Sequence, residues 1–205
     1  MRNYSLSVKR TGKKHVFCEI LQRQPPRAIA RKRPDAQKII LHPRQRQKIT
    51  HTMELSYHAI PYAQLTTDQL YQLLRLRAEV FVVEQDCVYQ DLDDKDQQAV
   101  HLLGMTEDGR LAAYTRIVPK GTSYPEYASI GRVITASFAR GKGLGRPLMR
   151  ESLRVLFEHY GEQTVKIGAQ AHLGDYYTSL GFKGIGDVYD EDGIPHRSML
   201  FVPST

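Results

Sequence analysis

A short basic segment with three alternating glycines carries the residue types best suited to chemistry. It reads Arg140-Gly141-Lys142-Gly143-Leu144-Gly145-Arg146-Pro147. A β-branched, apolar run precedes it at residues 129–134, and leucines at helical spacing follow it. Because proline fits only the first turn of a helix, Pro147 places the helix start within this segment. Backbone N–H groups, the positive end of the helix dipole and basic side chains would then converge, and such a place binds a phosphate-bearing anion.

The glycine spacing excludes two common phosphate-binding motifs. A P-loop needs Gly-x-x-x-x-Gly-Lys-Ser/Thr, which does not occur here, and the dinucleotide fingerprint needs a glycine where Arg146 stands. What does occur, between a strand and a helix, is Arg-x-x-Gly-x-Gly at Arg140, Gly143 and Gly145. This pattern resembles the pyrophosphate loop of the GNAT superfamily of N-acetyltransferases, which bind the pyrophosphate of acetyl-coenzyme A (acetyl-CoA) there.

Three further segments make the resemblance more specific. They are residues 77–93 (RAEVFVVEQDCVYQDLD), residues 168–182 (GAQAHLGDYYTSLGF) and residues 189–196 (YDEDGIPH). In this order around the glycine loop they are similar to the ElaA family of GNAT proteins, over about residues 53–202. The resemblance implies an acetyl-CoA-dependent N-acetyltransferase that transfers the acetyl group to a primary amine of a small molecule, peptide or protein.

The resemblance also implies where the cofactor binds. In the superfamily the strand at 132–134 splays from the strand at 164–169, and its free backbone groups pair with the pantetheine arm. The cofactor contacts implied in this way are Arg132, Val133, Ile134, Arg140, Gly141, Lys142, Gly143, Leu144, Gly145, Arg146 and Tyr177.

Acetyl transfer to an amine needs an aligned thioester, a polarised carbonyl and a proton for the leaving thiolate. Tyr177 resembles the tyrosine of the GNAT segment Tyr-x-x-x-Gly-Phe that often serves as general acid, and Tyr176 beside it is expected to pack. The alternative is that Tyr177 is an aromatic residue of the core whose hydroxyl forms a hydrogen bond. For the general base, the candidates are Glu84, His172 and His101, and many GNAT proteins use a chain of waters instead.

The acceptor side is expected to be lined by five residues, namely Arg77, Gln85, Tyr89, Gln170 and His196. The aspartates between residues 82 and 96 would attract a cationic amine there. They do not form a calcium loop, because the sixth position counted from Asp91 is Asp96 instead of glycine. No His-x-x-x-His or paired Cys-x-x-Cys occurs, so no metal is expected.

The predicted helices and strands indicate an α/β (α+β) fold. It is expected to have a mixed, mostly antiparallel central sheet with helices on both faces. A helix is predicted from Thr66 or Thr67 through Phe81, with Gln69 completing a capping box. It places Arg77 beside the apolar stripe, where its guanidinium can reach a carboxylate. Strands are predicted at about 54–62, 100–105, 111–118, 129–134, 164–169, 185–189 and 196–202, and a short helix at about 173–180.

The net charge of +7 hides two regions of opposite sign. Residues 1–52 hold 14 Lys or Arg against Glu19 and Asp35, which leaves 15 basic and 20 acidic residues in 53–205. We expect a GNAT domain at 53–205, preceded by a basic extension that is disordered, or by a mis-assigned start with translation beginning at Met53. A further alternative is that residues 1–52 weakly contact nucleic acid, although this segment has few aromatic side chains that could stack on bases.

Two other functions compete with the acetyltransferase. An acyl-homoserine-lactone synthase has a similar Leu-Arg-x-Arg-x-x-Val-Phe segment, but that family relies on tryptophans near its N-terminus and this chain has none. A non-catalytic module could sense coenzyme A while its tail holds nucleic acid. With no signal peptide or membrane-length segment and two cysteines far apart, the sequence favours the cytoplasm and no membrane partner. A homodimer is compatible with it.

Overall fold

The computed structural model describes residues 53–203. The predicted basic extension at residues 1–52 lies outside the described residues. Within 53–203 the seven strands form two antiparallel sheets. The first has the order β1-β2-β3-β4, with β1 at Ser56–Pro61, β2 at Val100–Met105, β3 at Leu111–Val118 and β4 at Ser129–Thr135. The second has the order β5-β7-β6, with β5 at Val165–Gln170, β6 at Phe182–Glu191 and β7 at Ile194–Phe201.

The two sheets are joined through β4 and β5. Ala128 and Val165 form a parallel bridge, and the N–H of Lys166 donates to the carbonyl oxygen of Ala128 at 3.0 Å. Beyond this bridge no further pair joins the two strands within the described part of the chain. β4 and β5 are therefore unpaired with each other toward their C-terminal ends, and this unpaired stretch is called the gap between the sheets below.

The helices lie on both faces of the sheets, as predicted. The first, α1 (Thr67–Arg77), begins at the predicted capping box, in which Thr66 and Gln69 exchange side-chain to backbone hydrogen bonds. It continues as a π-helical segment, Ala78–Glu84, three residues past the predicted end. The others are α2 (Gly145–Tyr160) and α3 (Gly174–Thr178).

Apolar side chains on the two faces form the two larger of three clusters found among residues 53–203. On one face, α1 and the π-helical segment bury Leu73, Leu76 and Val80 against Leu103 and Ile134 of the first sheet. On the other face, α2 and α3 pack against residues of both sheets, which are Val100, Leu102, Ala113, Ile117, Ile130, Val165, Ile167, Ala169, Phe182 and Met199. The fold is therefore the predicted mixed arrangement with β4 and β5 at its centre.

The predicted bounds of the last strands are too short. β6 begins at Phe182 and continues through a register shift between Ile185 and Val188 that accommodates Gly186, whose φ is +62°. β7 begins at Ile194, directly after the turn at Asp192 and Gly193. No helix among residues 53–203 has the length and apolarity needed to cross a membrane.

Candidate active site

The glycine-rich loop lies between β4 and α2, as predicted. Gly141 and Gly143 have φ values of +72° and +75°, in the left-handed region that favours glycine. A Cβ built on either residue would meet no described atom within 4 Å. The backbone of this loop therefore faces open space.

Gly145 has a different role from the other two glycines. It is the first residue of α2, and a Cβ there would lie 2.9 Å from the hydroxyl oxygen of Tyr176. That hydroxyl is buried and has no hydrogen-bond partner among residues 53–203. Gly145 thus allows α3 to pack against the start of α2, and Tyr176 packs as predicted.

The N-terminus of α2 is uncapped. Leu144 at the N-cap offers no side-chain hydrogen bond, and the first helical turn contains no acidic residue. Pro147 is the third helical residue, so it lies in the first turn as predicted. The first N–H groups and the positive end of the helix dipole remain available to an anion beside the open glycine loop.

The basic side chains near the loop differ in their surroundings. Lys142 is exposed and lines an open cavity of about 1200 Å³, together with Arg110 and Phe138. Arg146 is exposed and its Nη1 lies 3.5 Å from the carbonyl oxygen of Ser179. Leu144, between them in the sequence, is buried in a small apolar cluster with Ala112 and Ala139.

The strand that leads into the loop contains a β-bulge. Tyr114 of β3 pairs with Ile134, whereas Arg116 pairs with Gly131, so Arg132 and Val133 both oppose a single residue. Arg132 adopts a φ of +51°, which is unusual for a residue with a side chain. A bulge bends the strand and interrupts its pairing. Within the described residues, the edge of β4 that faces β5 pairs with no strand beyond Ala128.

Arg77 is a buried structural residue. Its Nε donates to Oδ2 of Asp91 at 2.9 Å and its Nη1 to Oδ1 of Asp96 at 2.6 Å. The predicted contact of its guanidinium with a carboxylate is confirmed. The side chain has no exposed surface, which corrects the expectation that Arg77 lines the acceptor side.

Two more arginines complete this ion-pair network. Arg116 donates to Asp93 through Nη1 at 2.6 Å and Nη2 at 2.8 Å, and to Asp96 at 3.3 Å. Arg132 donates through Nε to Oδ1 of Asp91 at 2.7 Å. The carboxylates of residues 91, 93 and 96 are therefore balanced by arginines, so these three do not supply the expected attraction for a cationic amine.

The arginines keep the aspartates ionised. Burial alone would raise the pKa of Asp93, but the hydrogen bonds and charge of Arg116 and the charge of Arg132 outweigh it and lower this pKa to about 2. Burial likewise opposes ionisation of Asp91, and the charges of Arg77 and Arg132 lower its pKa below the usual value.

Tyr89 belongs to the same network. Its hydroxyl donates to Oδ1 of Asp91 at 3.0 Å, and the guanidinium of Arg132 lies 5.8 Å from the centre of its ring. Burial raises the pKa of Tyr89 to about 12. Tyr89 is half-buried and helps to hold the loop that follows the π-helical segment.

Glu84 and Arg140 form an ion pair at the edge of the site. Both terminal nitrogens of Arg140 donate to the Glu84 carboxylate, the second at 2.8 Å, and Nε donates to the carbonyl oxygen of Thr135 at 3.0 Å. The hydrogen bond from Arg140 lowers the pKa of Glu84. A carboxylate in this state is a weaker proton acceptor than an unpaired one.

The two histidines proposed as bases lie in different environments. His101 is fully buried, with Nδ1 2.8 Å from the Tyr114 hydroxyl and Nε2 3.1 Å from the carbonyl oxygen of Asp96. Both of its ring nitrogens are occupied, and burial lowers its pKa, so His101 supports the network instead of facing a substrate. His172 is exposed and borders a cavity of about 450 Å³ together with Gln170.

Tyr177 belongs to the apolar cluster in which α2 and α3 pack against both sheets. Only 6% of its surface is exposed, and its ring makes edge contacts with Tyr176 and Phe182 at centroid distances of 5.0 and 5.8 Å. Burial raises its pKa, so the phenol stays protonated at neutral pH. Its hydroxyl makes no hydrogen bond to any other residue between 53 and 203.

Three of the predicted acceptor-side residues come together where the loop after the π-helical segment meets the second sheet. The side-chain nitrogen of Gln170 lies 3.4 Å from Oε1 of Gln85, and Gln170 is in register with His196 across β5 and β7. Nearby, the Cys87 thiol donates to the carbonyl oxygen of Asp192 at 3.5 Å. Cys87 is half-buried, and burial raises the pKa of its thiol.

Sequence reasoning missed one group of residues, which lies beside Gly168 of β5. Tyr124, Tyr189 and Glu191 direct their oxygen atoms toward Gly168 of β5. A glycine inside a strand signals a close approach by another group, and this signal could have found them. Within the described residues no group of three or more His, Cys, Asp or Glu is placed to hold a metal ion.

A comparison with protein families identifies the family of this chain. A family model described as an acetyltransferase (GNAT) domain matches residues 60–202. The chain belongs to the GNAT acetyltransferases. Within them it falls in the ElaA family, since this GNAT chain is 43% identical to protein ElaA of Escherichia coli K12 over 147 residues, which are 71% of this chain and 95% of ElaA.

Solved structures agree with the GNAT assignment. The crystal structure of Escherichia coli ElaA superposes with a TM-score of 0.66 at 42% identity, covering 72% of this chain and 99% of ElaA. An acyl-CoA N-acyltransferase from Pseudomonas aeruginosa superposes at 0.67 and 41% identity, covering 72% of this chain and all of that one (100%). The acyl-homoserine lactone synthase BjaI is similar in fold alone, at 0.60 and 19% identity over 71% of this chain and 82% of BjaI.

Proposed function

We propose that this GNAT chain is an acetyl-CoA-dependent N-acetyltransferase that acetylates a primary amine. The observation that carries the proposal is the open glycine loop at the uncapped start of α2, directly after the unpaired edge of β4. In this proposal the loop and the helix start would form the diphosphate site, and the unpaired backbone groups of β4 would face the pantetheine arm. They fit the cofactor that GNAT acyltransferases share.

The residues around the loop would hold the cofactor. The N–H groups of Gly143, Gly145 and Arg146, with the side chains of Lys142 and Arg146, would bind the diphosphate. The backbone of Val133 and Ile134 would pair with the pantetheine arm and align it with the gap. Acetyl-CoA would supply an activated acetyl group as a thioester.

Tyr177 would act as the general acid. When the new C–N bond forms and the C–S bond breaks, the amine loses a proton and the sulfur needs one, and the protonated phenol of Tyr177 would donate it. Glu84 and His172 remain candidates for accepting the proton from the amine. Of these, the Glu84 carboxylate is made a weaker proton acceptor by its pairing with Arg140.

We infer that residues 53–205 form the acetyltransferase domain and that residues 1–52 are an accessory extension. The family model matches residues 60–202, which supports this division. A chain that begins at Met53 should keep the turnover of the full chain. A coenzyme A sensor that depends on its basic extension would instead lose binding to its partner.

The proposal is tested by calorimetry followed by a turnover assay. Acetyl-CoA should bind the full chain at about one molecule per chain, and free thiol should then be released only when a primary amine is added. If the chain did not bind acetyl-CoA at millimolar acetyl-CoA concentration, the proposed function would be wrong. Binding without thiol release across a broad panel of amines would favour a non-catalytic module.

A further inference from the structure

One ion pair connects the glycine loop to the residues expected on the acceptor side. Both terminal nitrogens of Arg140 donate to the Glu84 carboxylate, and Arg140 directly precedes the open glycine loop. Glu84 is the last residue of the π-helical segment. The next residue, Gln85, contacts Gln170 at the end of β5. The pair therefore joins a loop that fits a diphosphate to the segment expected to receive the amine.

This ion pair can open without leaving a buried charge. The side chain of Arg140 is 34% exposed and that of Glu84 is 32% exposed. An ion pair with this exposure contributes little to stability, because water solvates both charges when the pair opens. The Nε atom of Arg140 also donates to the carbonyl oxygen of Thr135 at 3.0 Å. This second contact would keep the guanidinium beside the loop while its terminal nitrogens change partner.

A second carboxylate of the π-helical segment acts on Arg140 from a greater distance. The hydrogen bond and charge of Glu84, and then the charge of Glu79, raise the pKa of Arg140. Hydrogen bonds in a π-helix join residues five apart, so Glu79 and Glu84 lie on the same side of the segment. Glu79 forms no ion pair within residues 53–203. It is therefore a nearby carboxylate that lacks the contact made by Glu84.

A diphosphate in the glycine loop would compete with Glu84 for the guanidinium. It carries more negative charge than one carboxylate, and its oxygens can accept two parallel N–H bonds from an arginine. The charge of Glu84 would also repel a diphosphate bound next to it. Both effects favour a state in which Arg140 contacts the phosphates and Glu84 has left it. An ionised carboxylate without a partner, next to Gln85, is then available to an ammonium group.

We propose that Arg140 exchanges Glu84 for the cofactor diphosphate, and that the released Glu84 carboxylate binds the ammonium group of the acceptor amine. This inference rests on the proposed N-acetyltransferase function and adds a coupling between its two substrates. The diphosphate and the ammonium both favour the opened ion pair. Each ligand therefore increases the affinity for the other, and by the same factor.

The partner exchange can be measured without turnover. The full chain, labelled with carbon-13 at the glutamate carboxyl carbons, would be titrated from neutral to acidic pH by NMR with and without coenzyme A, and Glu84→Gln would assign the Glu84 signal. Because the hydrogen bond from Arg140 lowers the pKa of Glu84, its loss should raise this pKa. We expect a rise of about 0.5, which is the linkage equivalent of a threefold change in coenzyme A affinity. Coenzyme A should move the carboxyl signal of Glu79 much less.

Amine binding by the released carboxylate is tested with n-butylamine as the probe and 1-butanol as its uncharged comparison. With coenzyme A bound, n-butylamine should shift the Glu84 signal and 1-butanol should not. In calorimetry, coenzyme A should tighten n-butylamine binding about threefold in wild type and Glu79→Gln but not in Glu84→Gln. A Glu84 pKa unchanged by coenzyme A would overturn the exchange, and a Glu84 signal unchanged by n-butylamine would overturn the amine contact. Failure of coenzyme A to bind would instead contradict the proposed function.

Discussion

The Nε atom of Arg132 donates to Oδ1 of Asp91 at 2.7 Å, across 41 residues of sequence. This contact ties the β-bulge of β4 to the loop that follows the π-helical segment. Asp91 also receives Nε of Arg77 at 2.9 Å on its other oxygen. One buried carboxylate therefore connects α1, the loop after the π-helical segment and the strand proposed to hold the pantetheine arm.

Replacing Asp91 should destabilise the whole domain. Asp91→Asn keeps the side-chain size but leaves the fully buried Arg77 paired with Asp96 alone among residues 53–203, and removing one partner of a buried pair costs about 3 kcal/mol. Denaturant unfolding of the full chain would measure this loss. Glu158→Gln, which breaks an exposed i,i+4 pair with Arg154, should change the free energy of unfolding far less. Equal stability of the two variants would show that the network is not a stabilising element.

Asp93 should make the stability depend on pH in the acidic range. Its pKa is about 2 in the folded protein and about 3.9 in an unfolded chain. A lowered carboxyl pKa stabilises the fold above the unfolded value, and this contribution is lost as the pH falls from about 4 toward 2. The difference in free energy of unfolding between wild type and Asp93→Asn should therefore be constant above pH 5 and shrink below pH 4. A difference that stays constant down to pH 2 would contradict the lowered pKa.

Local patterns predicted the elements that depend on neighbouring residues. The capping box of Thr66 and Gln69 fixed the start of α1, and Pro147 fixed the first turn of α2. The apolar stripe placed Arg77 against the core with its guanidinium free to reach a carboxylate, and the structure confirms that contact. In each case the cause lies within a few residues of the effect.

Contacts between distant segments were not predictable in the same way. Nothing near Arg132 indicates a left-handed residue there, because the bulge is held by Asp91, far away in sequence. The expected free acidic loop was misjudged for the same reason, since the arginines that neutralise it come from α1, β3 and β4. The oxygens above Gly168 depend on how the end of β6 meets the segment before β4.

Gly143→Glu should abolish acetyl-CoA binding. The new carboxylate would project from a loop position with no described atom within 4 Å, into the place proposed for the diphosphate, and like charges would repel. We expect the affinity to fall at least about 100-fold in calorimetry, which corresponds to about 2.7 kcal/mol. Gly109→Glu is a matched control, because Gly109 has a φ of +77° and equally open surroundings in the β2–β3 turn. Similar cofactor affinity in the two variants would argue against the diphosphate site.

Tyr177→Phe should slow acetyl transfer while leaving the cofactor affinity nearly unchanged. The variant keeps the ring contacts with Tyr176 and Phe182 and removes only the proton proposed for the leaving sulfur, and such groups contribute about 10²–10⁴-fold. The kcat of thiol release and the Kd for acetyl-CoA would be measured separately. Tyr160→Phe, at the far end of α2, supplies the control. A Tyr177→Phe kcat within about twofold of wild type would remove this residue from the mechanism.

Glu84→Gln decides between two roles for the carboxylate that pairs with Arg140. If Glu84 mainly occupies Arg140, the neutral amide should release the guanidinium toward the cofactor phosphates, so that acetyl-CoA binds about threefold more tightly and kcat barely changes. If Glu84 accepts the proton of the amine, kcat should instead fall by about 10²-fold or more. Because the hydrogen bond from Arg140 lowers the pKa of Glu84, we expect the first result. Calorimetry at low and high salt would check it, since the gain in affinity should diminish as salt screens the charge released on Arg140.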